Sequence, residues 1–389
     1  MQKFIVGSII GMVIGILFGA SVVAPRLTDA ALSRSDGDGN AVVVEQIEQA
    51  PKDAMVNTTV QTSTGTASAS VQWNMVSAFP SSLPILGTLP QRLSREIANV
   101  SEGRIEIVSH EPGTLAPAGE LFEAVRSSAI DAAFTSPAFA VEQVPALGLF
   151  GSVPFGPTPR EMLSWIYVSD GLDQMNAIYH DRDLHAVPCG VVTAEAAGWF
   201  KHEIKDVSDL NGLRMRIDGL AAQAAQKLGV ETLSLNTGEI YGALKAGVID
   251  AAESSLPSVD NALELQTAAE HYYFPGWQQQ STLLVLLMRL EQWQNLSIPQ
   301  QHQIAIVCGD NVRESLAEGE ARQFDALKKI SGAGAKIGRL PVDVLAALSS
   351  AWSSVAQTES DKDAEFKKVW TSLSAFRRDY DIWDELSSL

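Results

Sequence analysis

Arg214 and Arg216 stand two residues apart in LRMRI, and on a strand that alternation sends both side chains to one face. An isolated cation is expensive to bury unless an anion meets it. A guanidinium offers a planar fork that holds a carboxylate through two parallel bonds, which lysine cannot reproduce. Arg216 therefore has two readings, a clamp for a carboxylate ligand or a structural salt bridge to a neighbour such as Asp218. For Arg214 the structural ion pair is the first reading. Recognisable catalytic chemistry is missing: the chain has no GxSxG, P-loop, HExxH or CxxC pattern. Its six histidines are scattered, and only His180 and His185 are close, in a polar stretch read as solvent-exposed. Gly332, Gly334 and Gly338 have the wrong spacing for a dinucleotide loop and read as a turn. An acid–base enzyme needs only two Asp or Glu side chains converging in space, and nothing local marks such a pair. Cys189 and Cys308 cannot make a disulfide scaffold or a four-cysteine zinc site, and read as buried, unpaired, small apolar residues.

The elements that must position the arginines alternate strand and helix. Strands are predicted at 72–77, 104–109 and 130–134, with helices at 86–100 and 121–127. A second set begins near 184, with strands at 185–189, 196–200, 213–217 and 249–253 and helices at 220–228 and 238–246. Residues 282–290 (TLLVLLMRL) form an apolar strand long enough to pass between two sheets. One long helix is expected over 299–330, with Pro299 suited to its first turn. Further helix follows over 341–373, with a break near Ser360 and Asp361. This alternation predicts the α/β class with parallel pairing.

The chain has 389 residues, enough for two domains and an extra segment. At 46% hydrophobic and 19% charged residues it can bury a sizeable core. The formal charge of −18 leaves few cations to neutralise phosphates, which argues against nucleic acid as a partner. Residues 4–24 (FIVGSIIGMVIGILFGASVVA) carry no charge. As a helix they reach about 31 Å, against about 30 Å for a bilayer core. Segment 1–26 therefore reads as a transmembrane anchor, with a cleaved signal as the other reading. Gly7, Gly11, Gly15 and Gly19 share one helix face, the small-xxx-small pattern of associating membrane helices. Residues 27–70, rich in Ser, Thr, Ala, Asp and Gly, read as a flexible tether. Either way the remainder is exported.

Six segments in order carry a resemblance: WNMVSAFPSSLPILGTLPQRLSREI (73–97), ALGLFGSVPFGPTPREM (146–162), CGVVTAEAAGWF (189–200), DLNGLRMRIDGLAAQAAQKLG (209–229), GEIYGALKAGVIDAAES (238–254) and HYYFPGWQQ (271–279). Together they resemble the solute-binding proteins of TRAP (tripartite ATP-independent periplasmic) transporters, on the branch that binds 2-oxo acids and related carboxylates. The resemblance implies a two-lobed α/β periplasmic-binding-protein-like fold with a hinge and a long lobe-spanning helix. Chain crossings near 187 and 282 would divide it into 71–187 plus 280–320 as lobe one. Residues 188–279 plus 321–389 would form lobe two with the C-terminal helices. The implied function is capture of a small organic acid, a 2-oxo or 2-hydroxy carboxylate, for delivery to TRAP membrane subunits, without catalysis. The alternative is a membrane-anchored sensor or scaffold built on the same binding fold.

The resemblance also implies site residues. Arg216 falls at the carboxylate-binding arginine. Glu253 resembles the carboxylate that helps hold a cation beside the acid, and Ser254 would add its backbone carbonyl. Glu195 stands where relatives often carry Gln, and a second acid favours a divalent ion, so Ca²⁺ is expected over Na⁺; the other reading of Glu195 is a solvent-facing strand residue. Phe139 lies near a pair of family tyrosines, here Ala138 and Phe139, which makes that wall more apolar. Phe79 and Trp277 either line the same cleft or pack in the core. Some relatives dimerise through a C-terminal helix, and 366–386 would serve for that or for packing on its own lobe.

Overall fold

The computed structural model describes residues 71–387. The predicted anchor or signal at 1–26 and the tether at 27–70 lie outside the described residues. Among the described residues no helix is long and apolar enough to cross a membrane.

Strands β1 (Val71–Ser77), β2 (Ile105–His110), β3 (Ala132–Thr135), β4 (Leu184–Val192) and β10 (Thr282–Arg289) build a first sheet in the order β2-β1-β3-β10-β4. A second sheet runs β11-β9-β5-β8-β6-β7, from β5 (Gly198–Phe200), β6 (Arg214–Arg216), β7 (Glu231–Leu233), β8 (Ala251–Ala252), β9 (His271–Phe274) and β11 (Lys336–Arg339). The sheets are mixed rather than parallel throughout. β10 runs antiparallel to both β3 and β4, and β5 runs antiparallel to β8 and β9. The reason is connectivity: β10 returns to the first sheet directly from the second, with no crossover helix to reverse its direction. β10 does not pass between sheets; it stays in the first, where it and β4 are buried almost throughout.

Helix Thr88–Val100 forms because Leu89, Leu93 and Ile97 recur every fourth residue and all are buried against the sheet. The long helix Ile298–Ala321 packs on β4 and on helix Thr88–Val100. The expected single helix is interrupted at Arg322, and Gln323–Gly332 continues it against helix Pro257–Ala262 of the second sheet. At the break, the Gln323 side-chain amide donates to the Gly319 carbonyl at 2.6 Å, an insertion into the ladder of the kind that bends helices. The next two helices, Val342–Lys362 and Ala364–Ser387, meet at Asp363, slightly beyond the expected break. Val342–Lys362 packs on helix Gly219–Gln226 of the second sheet. Ala364–Ser387 instead returns to helices Pro159–Val168 and Gly171–His180 beside the first, so the C-terminal segment is shared between the lobes.

The expectation of unpaired cysteines is corrected: Cys189 and Cys308 form a disulfide. β4 and the long helix pack face to face and bring the two Cα atoms within 4.1 Å. Distance along the chain carried no information about that approach. The His180–His185 pair is also less exposed than expected. His185 is buried in β4, stacked on Trp293 and 2.9 Å from His180, and burial pushes its pKa down to about 4.

Candidate binding site

Arg216 ends β6, where the alternation leaves Met215 buried and turns both arginines away from it. Arg214 pairs with Asp250 through Nε and Nη2, at 2.8 and 2.7 Å, so it is structural. Arg216 is different. Its side chain is only 13% exposed. Nε donates to the Leu235 carbonyl at 3.2 Å, and Nη1 donates to the Glu253 carbonyl at 3.1 Å and to its carboxylate. Nη2 lies 2.7 Å from Asp218, which is 41% exposed. The predicted salt bridge to Asp218 is thus present, as one of several contacts to a largely buried guanidinium.

Glu253 follows β8, and its backbone N–H donates to the Arg216 carbonyl at 2.9 Å, so ladder pairing sets the two side chains together. Glu195 lies in the connection from β4 to β5, before the strand rather than on it, and is 4% exposed. The solvent-facing reading of Glu195 is therefore excluded. Its two oxygens accept from the Ser255 hydroxyl at 3.1 Å and from the Gln279 amide. Burial pushes Glu195 well above the usual carboxylate range, and the nearby Glu253 charge adds to that. Burial also raises Glu253 to about 7, although the Arg216 charge pulls it down.

Three contributors were not foreseen. Gln279 and Ser255 hold Glu195, and Asp260 lies fully buried behind them. Asp260 accepts from Trp199 Nε1 and the Tyr272 hydroxyl, both at 2.9 Å, and from the Ser255 N–H at 3.1 Å. Burial lifts its carboxyl to about 7. In sequence it sits in the polar run PSVDNA, which carries no sign of burial.

Phe79 and Phe139 form a tilted pair with ring centres 5.9 Å apart. Trp277 is buried, with its ring 5.9 Å from that of Phe155. A surface cavity of about 330 Å³ lies on the first lobe, lined by Phe122, Arg126, Gln143, Arg182 and neighbours. Both its arginines are already paired, with Glu123 and Glu365, so it is not where unneutralised buried charge collects.

Hard oxygen donors of this kind suit Ca²⁺ or Na⁺. Among the described residues no group of three or more His, Cys, Asp or Glu stands close enough to hold a metal unaided. A cation here would need backbone and ligand oxygens beside Glu195 and Glu253.

The DctP family, bacterial extracellular solute-binding protein family 7, matches residues 75–362. The chain belongs to this family. It is 33% identical over 341 residues to a monocarboxylate 2-oxoacid-binding periplasmic protein of Nostoc sp., covering 86% of this chain and 93% of the relative. Among solved structures, a TRAP transporter solute-binding protein of Bordetella bronchiseptica superposes with a TM-score of 0.80 at 29% identity, covering 82% of this chain and 95% of that one. It is a mixed-occupancy dimer with copurified calcium and picolinate. A TRAP periplasmic protein of Pseudoalteromonas atlantica, with bound sodium and pyruvate, gives a TM-score of 0.77 at 25% identity, covering 82% and 97%. This chain is thus a DctP-family TRAP solute-binding protein with the two-lobed α/β fold of periplasmic binding proteins.

Proposed function

We propose that this DctP-family receptor captures a small 2-oxo or 2-hydroxy monocarboxylate between its lobes, together with a cation, and delivers it to TRAP membrane subunits. The observation that carries this reading is the largely buried Arg216 guanidinium bonded to Glu253, with the buried Glu195 beside it. A ligand carboxylate takes the guanidinium fork by displacing Asp218, which is half in solvent and cheap to release, and by loosening Glu253. Glu253 then needs a new partner. A cation held by the Glu195 and Glu253 carboxylates and the Ser254 carbonyl supplies it. One arginine, two glutamates and the ligand carboxylate leave two negative charges, which Ca²⁺ cancels and Na⁺ only halves. Phe79 and Phe139 border the ligand.

The binding is without turnover, in keeping with a family of solute-binding receptors. The chain works in the periplasm, held to the inner membrane by 4–24 and reaching out on 27–70. The exposed Ile382, Trp383 and Leu386 of the last helix support homodimer formation. The register of Gly7, Gly11, Gly15 and Gly19 favours, as a second reading, a sensor or scaffold acting through associated membrane helices.

Calorimetry with pyruvate and Ca²⁺ tests the clamp. Arg216→Ala should weaken acid binding by about 2–5 kcal/mol, because it strands Glu253 and removes the fork. Near-normal affinity in that variant would remove Arg216 from the site, and a chelator without effect on affinity would remove the cation.

A further inference from the structure

Ser255 and Gln279 hold the Glu195 carboxylate, and the backbone that delivers it comes directly off β4. β4 lies along the long helix Ile298–Ala321, and the run of contacts begins at a bulge. Leu284 pairs with Gly190 and Val285 with Pro188, so Cys189 is the extra residue of β4. Bulges re-aim a side chain and are frequent beside functional sites. Here the bulge residue is the one bonded to Cys308 of the helix. Two residues on, the Val191 N–H donates to the Ser315 hydroxyl at 2.9 Å. Two further on, Thr193 meets Gly319, where an added Cβ would stand 3.1 Å from the Thr193 methyl and 3.3 Å from its hydroxyl oxygen. Glu195 is the next residue of the same parity.

The three contacts differ in kind, and together they leave no room to slide. The first is covalent. At the second, β4 is the edge strand of its sheet, so the Val191 N–H has no strand to meet and Ser315 stands in for one. Ser315 is fully buried and donates in turn to the Val312 carbonyl at 2.9 Å, which leaves its lone pairs for Val191. At the third, only the missing side chain of Gly319 lets helix and strand come this close. The helix is itself anchored. The fully buried Asn311 donates to the Leu89 carbonyl at 3.2 Å and accepts from Arg92 Nη1 at 2.8 Å. A strand matched to an anchored helix at three successive points delivers Glu195 at one height, and a cation ligand needs such support from behind.

Resting on the reading that Glu195 holds the cation, we infer that Ser315 and Gly319 are positioning residues of the cation site. They act through the register of β4 on the long helix, within the first lobe and away from the ligand. Calorimetry on the purified full chain titrates calcium with pyruvate in excess. Ser315→Ala and Gly319→Ala should each weaken calcium binding by about three- to thirtyfold, the range of indirect couplings. Adding Thr193→Ala to Gly319→Ala should restore near-parent affinity, because it clears the atoms that the new Cβ meets. Gly309→Ala, on the same helix with open space around it, is the control and should bind like the parent. In a Glu195→Gln background both losses should shrink toward nothing, since the carboxylate they place is gone. Losses of full size in that background, or no rescue by Thr193→Ala, would leave the two residues a purely structural role and overturn the inference. Parent-like binding by Ser315→Ala and Gly319→Ala, with Glu195→Gln weakened, overturns it too while the cation reading stands. If Glu195→Gln itself binds calcium like the parent, the cation reading fails and the inference with it. Should Ser315→Ala not fold, Gly319→Ala and its rescue decide alone.

Discussion

Glu253 stands between an arginine that favours its charge and a buried setting that opposes it, and burial wins, lifting its carboxyl to about 7. Asp260 is raised to about 7 by burial, against the hydrogen bonds it accepts. Carboxyls in an unfolded chain titrate near ~4. A carboxyl whose folded pKa is raised contributes its stability fully below the unfolded value and loses it as the pH climbs through the folded value. The metal-free protein should therefore lose stability between about pH 4 and about pH 7. A cation takes only ionised carboxylates, so its affinity should move the other way, falling by up to about tenfold per pH unit below about 7 for each proton displaced. Melting curves across this window, with and without calcium, check both signs; a metal-free midpoint that climbs steadily toward pH 7 would contradict them. At this scale the sequence was only partly legible. Arg216 stood out because a buried charge in a strand pattern demands a partner, whereas Glu253 was implied by the family resemblance alone. Asp260 was not readable, because its polar neighbours read as surface and only the fold brings Trp199 and Tyr272 over it.

The connections between sheets, not the strands, carry the least legible parts of the site. Residues 275–281 and 193–197 run side by side, and the Gly276 N–H donates to the Glu195 carbonyl at 3.0 Å. The Gln278 amide donates to the Ala196 carbonyl at 2.7 Å. A Cβ at Gly276 would lie 2.5 Å from the Glu195 backbone oxygen, and the atoms it meets are all backbone. Gly276→Ala should therefore push Glu195 out of place, destabilise the protein by about 1–3 kcal/mol as overpacking does, and weaken calcium binding. Gly242→Ala is the control: it sits in helix Ile240–Ala246 with open space around its position, and should be neutral or stabilising. Denaturant unfolding and calcium titration of the two variants make the comparison, and equal behaviour would show that the Gly276 approach does not hold Glu195. The helices and most strands announced themselves through apolar periodicity, as Leu89, Leu93 and Ile97 illustrate. The close approach of two loops has no periodicity, and a glycine in HYYFPGWQQQ looks like any turn residue.

On the scale of the whole molecule, the chain passes between the lobes four times, at 193–197, at 275–281, at the kink near Arg322 and at Asp363. The family resemblance implied crossings near 187 and 282, whereas β4 runs on to Val192 and β10 begins at Thr282, both within the first sheet. The sequence hid the Cys189–Cys308 bond, which fastens β4 to the long helix within the first lobe, just before one of these crossings. Such a bond suits an oxidising compartment, in agreement with the periplasmic setting of the family. The first two crossings are where Glu195 and Gln279 meet, so a cation at Glu195 would bind on the pivot itself rather than on either lobe. Ligand and cation would then favour closure in two ways, by bridging Arg216 to the first lobe and by stiffening the two connections between the sheets. Adding calcium and pyruvate together should slow backbone amide exchange in 193–197 and 275–281 and shrink the radius of gyration in solution scattering. Calcium alone should slow exchange at the pivot while leaving the radius nearly unchanged, because it lacks the carboxylate that engages Arg216. Compaction with calcium alone, or full compaction with pyruvate in a chelator, would separate the pivot from the cation and leave closure to the arginine clamp.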